Sequence, residues 1–153
     1  MTICKPAFLK KSLDENKCLL GLDVGSKTIG LAISDPNCII ASPLLVIKRK
    51  KFTHDASIIF DCIDQNSVGA IVVGLPIQMN GVEGRQAQSV RTFVDNLIKI
   101  RPILVSFWDE RLSTAAVERV MIEKGNLSRS KRSKIIDKSA ASYILQGLLD
   151  AYT

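Results

Sequence analysis

Apolar residues recur along this chain in two different periods, and the change of period marks its elements. Cys18 to Leu22 is an almost unbroken apolar run, as expected for a strand buried on both faces, and it ends at Asp23. Gly25, Ser26 and Lys27 then turn the chain, Thr28–Ser34 alternates as a second strand, and Asp35-Pro36-Asn37 signals a further turn. A third strand is expected over about 38–47, ending in Lys48-Arg49-Lys50-Lys51. Strands this close in sequence form an antiparallel meander. The period then lengthens. Ala56, Ile59, Phe60 and Ile63 are spaced for one helix, and Ala87, Val90, Val94, Leu97 and Ile98 for another. Between them Gly69–Val73 predicts a short buried strand breaking at Gly74-Leu75-Pro76, and Ile103–Trp108 predicts a fifth strand. Ser113 or Thr114 caps a third helix carrying Ala116, Val117, Val120 and Met121, stopped by Gly125, and a last helix is expected from about Ser133 to Asp150.

The order is three strands, then alternating helices and strands, then helices. Strands joined through helices lie parallel, so the pattern predicts an α/β domain with a mixed sheet. The 153 residues suit one domain, read as 18–153, with residues 1–17 expected to be a flexible extension. A hydrophobic fraction of 46% with 24% charged residues excludes disorder as the main state. The net charge of +6 favours an anionic partner such as nucleic acid. Cys4, Cys18, Cys38 and Cys62 form no paired motif and read as core residues in a reducing compartment. The single histidine, His54, argues against a histidine-based metal site or a serine–histidine triad. No segment reads as a signal peptide or membrane span, so a cytoplasmic location is expected.

Candidate chemistry rests on carboxylates in apolar surroundings. Asp23 closes a buried strand, where it is either a solvated turn residue or a ligand. The strand at 103–108 runs into Asp109-Glu110, at the same sheet edge if the two strands are parallel, and spacing does not choose between these two acids. Asp137 lies four residues before Ala141, on the face of the last helix that carries Ile144, Leu145 and Leu148. Three carboxylates brought together repel unless a cation neutralises them, and an all-oxygen site suits one or two Mg²⁺ or Mn²⁺ ions. Such sites commonly hydrolyse phosphodiesters.

Four motifs, GLDVGSKTIGLAISD (21–35), VVGLPIQMNG (72–81), WDERLST (108–114) and IIDKSAASYIL (135–145), resemble in their order the YqgF (RuvX) family over about residues 18–150. That family is described as Holliday-junction resolvases or pre-16S rRNA processing nucleases. The resemblance implies an RNase H-like fold with a five-stranded sheet of order 3-2-1-4-5. It also implies a metal-dependent nuclease site at Asp23, Glu110 and Asp137, choosing Glu110 over Asp109. The stretch DVGSKTIG is also similar to the phosphate-binding turn of actin-like ATPases, which need two such lobes.

The reading that follows is a hydrolase processing structured RNA, the 5′ end of pre-16S rRNA, in ribosome biogenesis. The alternatives are Holliday-junction cleavage of branched DNA and a non-catalytic RNA-binding assembly factor. Expected substrate contacts are Lys27, Arg85 and Arg111, with Arg129, Lys131, Arg132 and Lys134 from the basic stretch KGNLSRSKRSK, read as a loop. The protein is expected to be a monomer or weak homodimer. The basic run Lys48–Lys51 reads as a solvated strand end or a phosphate contact, and Trp108 as a core residue or a base-stacking one.

Overall fold

A computed structural model describes the backbone of residues 2–112 and 129–152, and the side chains of 2–112 and 140–152. The expected third helix falls outside these residues. Five strands form one sheet: β1 (Cys18–Val24), β2 (Thr28–Ser34), β3 (Ala41–Lys48), β4 (Val68–Leu75) and β5 (Leu104–Asp109). Their order is β3-β2-β1-β4-β5, with β1 antiparallel to β2 and parallel to β4. A single turn of helix, α1 (Pro6–Leu9), precedes the sheet, and α2 (Phe52–Gln65), α3 (Arg85–Ile100) and α4 (Arg129–Ala151) complete the described elements.

Strand alternation divides the core. Leu20, Leu22, Ile29, Leu31, Ile71, Val73 and Val105 face α2 and α3, whose stripes Ala56-Ile59-Phe60-Ile63 and Ala87-Val90-Val94-Leu97 are buried against them. Leu19, Ala32, Ala70, Val72 and Trp108 point to the other face, where Ala141, Ile144, Leu145, Leu148 and Leu149 of α4 cover them. The helix approaches closely because Gly21 has no side chain. A Cβ there would sit 2.9 Å from Leu145 Cβ and 3.0 Å from the Ala141 carbonyl. Trp108 is therefore core, buried beside Tyr152.

Three elements depart from expectation by more than a residue. β3 begins at Ala41 because Asp35 Oδ1 accepts the Ile39 and Ile40 amides at 2.7 and 2.8 Å, and Cys38 adopts a φ of 55°, which together hold 35–40 as a loop. β4 runs through Gly74 to Leu75 instead of breaking there. The last helix begins at Arg129, so Arg129, Lys131, Arg132 and Lys134 belong to a helix, where a loop was expected. Residues 129–134 contain no Gly or Pro, and Arg and Lys are good helix formers.

The expected extension is packed against the domain. The Val105 amide donates to the Thr2 carbonyl at 2.7 Å and Cys4 N to the Val105 carbonyl at 2.9 Å, so Ile3 pairs in parallel with the edge strand β5. Leu9 is fully buried in the α4-side core, and Leu13 and Lys17 pack over Gly69. Among the described residues no helix is long and apolar enough to cross a membrane.

Candidate active site

Asp23 is the last outward step of the face that α4 covers, following Leu19 and Gly21 by strand alternation. In the sheet register Asp23 lies opposite Gly30, while Leu22 pairs with Val73 and Gly74 with Trp108. The C-terminal ends of β1, β4 and β5 therefore share one edge, where α/β sheets place their sites.

β5 ends with Trp108 and Asp109 on opposite faces, and the chain is held one residue further by Glu110 N donating to the Leu75 carbonyl at 3.1 Å. This added step returns Glu110 to the α4 face, on Asp23's side. β4 stands between them, and Gly74 is what lets the two side chains meet: a Cβ at Gly74 would fall 2.7 Å from Glu110 Oε1 and 2.9 Å from its Cγ. Glu110 lies across the bare glycine and shares a hydrogen bond with Asp23.

The electrostatics follow from this contact. Burial pushes the Glu110 carboxyl up, and the Asp23 charge and their shared hydrogen bond push it further, from 4.5 to about 8. Glu110 thus keeps its proton at neutral pH, as one member of a pair of carboxyls that cannot both ionise alone. Asp109 behaves in the opposite way. It turns to the other face, where Arg111 holds it with Nη2–Oδ2 at 2.7 Å and Nε–Oδ1 at 3.1 Å, and its pKa is lowered by those bonds. Where spacing left the two acids equal, strand parity separates them.

The two facing carboxyls, half-buried and all-oxygen, are a donor set suited to Mg²⁺ or Mn²⁺, since a hard cation held by them would replace the proton that Glu110 otherwise keeps. Among the described residues no third acidic, histidine or cysteine side chain joins them. Asp137 lies on α4 one turn before Ala141, whose carbonyl faces Gly21, and its side chain lies outside the described residues.

Three of the expected substrate contacts fall among the residues whose side chains are described. Lys27 is exposed in the β1–β2 turn, and Arg85 is exposed at the first position of α3. Arg111 is committed to Asp109 and reaches the Gln78 carbonyl at 3.5 Å, tying the β4–α3 loop to the site. The side chains of Arg129, Lys131, Arg132 and Lys134 lie outside the described residues. Sequence reasoning missed Gly74 as a site residue. Its one signal was a glycine directly after the apolar run Ile71-Val72-Val73, which marks a close approach as readily as a break.

Comparisons with known proteins identify the family and the fold. Residues 17–151 match the family model described as RuvX, Holliday junction resolvase. A protein of Paramagnetospirillum magneticum named “Putative pre-16S rRNA nuclease” is 51% identical over 150 residues, covering 98% of this chain and 96% of that one. A relative of the same name in Rhodospirillum rubrum is 43% identical over 151 residues, covering 99% and 94%. Among solved structures, Thermus thermophilus RuvC in complex with a Holliday junction substrate superimposes with a TM-score of 0.55 at 14% identity, over 88% of this chain and 95% of that one. At that identity the likeness is one of fold.

Proposed function

The chain belongs to the RuvX family, and we propose that it is a metal-dependent nuclease that hydrolyses phosphodiester bonds of structured RNA, trimming the 5′ end of pre-16S rRNA in the cytoplasm. The observation that carries this reading is the Asp23–Glu110 pair, two carboxyls facing each other across Gly74 at the carboxyl edge of the sheet. The names of the relatives supply the substrate class.

In this reading Asp23, Glu110 and Asp137 hold one or two Mg²⁺ or Mn²⁺ ions. A bound divalent cation supplies a Lewis acid for the phosphoryl oxygens and a source of nucleophilic water at neutral pH. The chain's own groups do the rest. Asp23 lies on β1, and Glu110, one residue past β5, is held by its amide to the Leu75 carbonyl, so both are fixed at the sheet edge. Glu110 releases the proton it shares with Asp23 when the site is filled. The Arg111–Asp109 pair anchors the loop that borders the site, through Gln78.

The test is a cleavage panel with purified protein: a pre-16S 5′ fragment, duplex RNA, single strands and a four-way DNA junction, each with Mg²⁺ and Mn²⁺. Cleavage of the precursor fragment at a unique position, stopped by EDTA and by Asp23→Asn and Asp137→Ala, is the expected result. Preferential cutting of the junction would transfer the reading to DNA recombination. Equal cleavage by wild type and Asp137→Ala would show the site to be wrongly assigned. Asp23→Asn retaining the biological role in cells would favour a non-catalytic assembly factor.

A further inference from the structure

The basic run that closes β3 is split by the structure into one inward and three outward residues. Arg49 turns in: its Nη1 donates to the Gly25 carbonyl at 2.7 Å, its backbone N to the Lys27 carbonyl at 2.9 Å, and its guanidinium lies 5.3 Å from the Phe93 ring centre. Behind it stands Asp55, a carboxylate with no solvent exposure on the first turn of α2. Asp55 Oδ1 accepts the Lys50 amide at 3.1 Å and lies 3.0 Å from His54 Nδ1, and Oδ2 is 3.9 Å from Arg49 Nε. Burying a carboxylate is costly unless it is paired, and a strand end that merely meets solvent has no need of one. Here the carboxylate and its arginine fix the backbone of the β3–α2 junction and clasp the turn that follows Asp23.

Lys48, Lys50 and Lys51 are exposed, and among the described residues none of them pairs with a carboxylate. Their position is set by the ladder. Asp23 lies opposite Gly30, Gly30 opposite Val46, and Thr28 opposite Lys48, with Ile47 buried towards α2. Lys48 therefore points to the same face as Asp23, two strands across and one repeat outward, a Cα separation of about 12 Å. Resting on the nuclease reading, we propose that Lys48, Lys50 and Lys51 form a preorganised surface that binds the phosphate backbone of the nucleic-acid substrate beside the carboxylate site, and that Asp55 and Arg49 position it.

The test measures binding of a labelled RNA hairpin with a single-stranded 5′ tail, in EDTA, across a salt series. Lys48→Gln/Lys50→Gln is compared with Lys10→Gln/Lys11→Gln, which removes the same charge near the opposite edge, where Lys10 lies beside Pro36 and Asn37. The first pair is expected to flatten the slope of log K against log salt by about 1.4–1.8, since each lost phosphate contact removes ~0.7–0.9, while the second leaves it near wild type. Asp55→Asn makes the protein more positive, so bulk electrostatics predicts tighter binding; loss of positioning predicts binding weaker by about threefold. Equal slopes for the two lysine pairs would overturn the proposal, as would wild-type slope in Lys48→Gln/Lys50→Gln. Tighter binding by a folded Asp55→Asn would overturn the positioning role. Cleavage by Asp23→Asn with the expected lysine effect intact would instead refute the nuclease site and leave this surface standing.

Discussion

Glu110→Gln should make the cation-free protein more stable, and the size of the gain should depend on pH. In the folded chain Glu110 keeps its proton up to about pH 8, whereas an ordinary glutamate carboxyl releases it near 4.5. Between those values the folded state binds more protons than the unfolded one, so stability falls as pH rises through the window and the penalty is complete above about 8. At 1.36 kcal/mol per pH unit the full shift amounts to ~5 kcal/mol. Glu110 is only half-buried, and solvent screening reduces this to about 2–3 kcal/mol. Glutamine retains the shape and a hydrogen bond to Asp23 but has no charge to repel it. Urea unfolding in EDTA should therefore show Glu110→Gln more stable than wild type by about 2–3 kcal/mol at pH 8.5, with the difference vanishing near pH 4.5. Mg²⁺ should restore wild type and have little effect on the variant. A variant equal to or less stable than wild type at pH 8.5 would refute the claim that the two carboxyls repel across Gly74.

Two further outcomes follow from the packing. Gly74→Ala should crowd both Ile144 Cδ1, the nearest atom to the new Cβ, and Glu110, whose Oε1 would lie 2.7 Å away, and lower cleavage about 10–100-fold at a stability cost of ~1–3 kcal/mol, read by single-turnover rates and urea midpoints; a wild-type rate would show that Ile144 yields and Glu110 stays in place. Leu9→Ala should cost ~2–4 kcal/mol in urea unfolding because Leu9 is fully buried under α4, whereas a cost below 0.5 kcal/mol would mean that the N-terminal residues contribute no core.

The hydrophobic pattern alone specified most of the elements and the helix faces. The stripes of α2, α3 and α4 are buried where their 3.6-residue spacing places them, and Thr28–Ser34 begins and ends as its alternation requires. Asp23 stood out at the end of one apolar run, and Asp109-Glu110 at the end of another, with no choice between those two acids. What stayed hidden depends on which face a strand turns to which helix. A run apolar on both sides, such as CLLGL or IVV, carries no mark of that choice, so the chain could not say that Asp109 turns to Arg111 and Glu110 to Asp23. The role of Gly74 was hidden for the same reason, since a missing side chain matters only when another residue's side chain crosses it. Leu9 and Ile3 lie in a stretch too short and too polar to signal an element, and only the open edge of β5 and the gap beneath α4 give them a place. The local periods determined most elements and a short set of candidate acids; the pairing of strands, read out by parity and by one bare glycine, decided that Glu110 and not Asp109 meets Asp23.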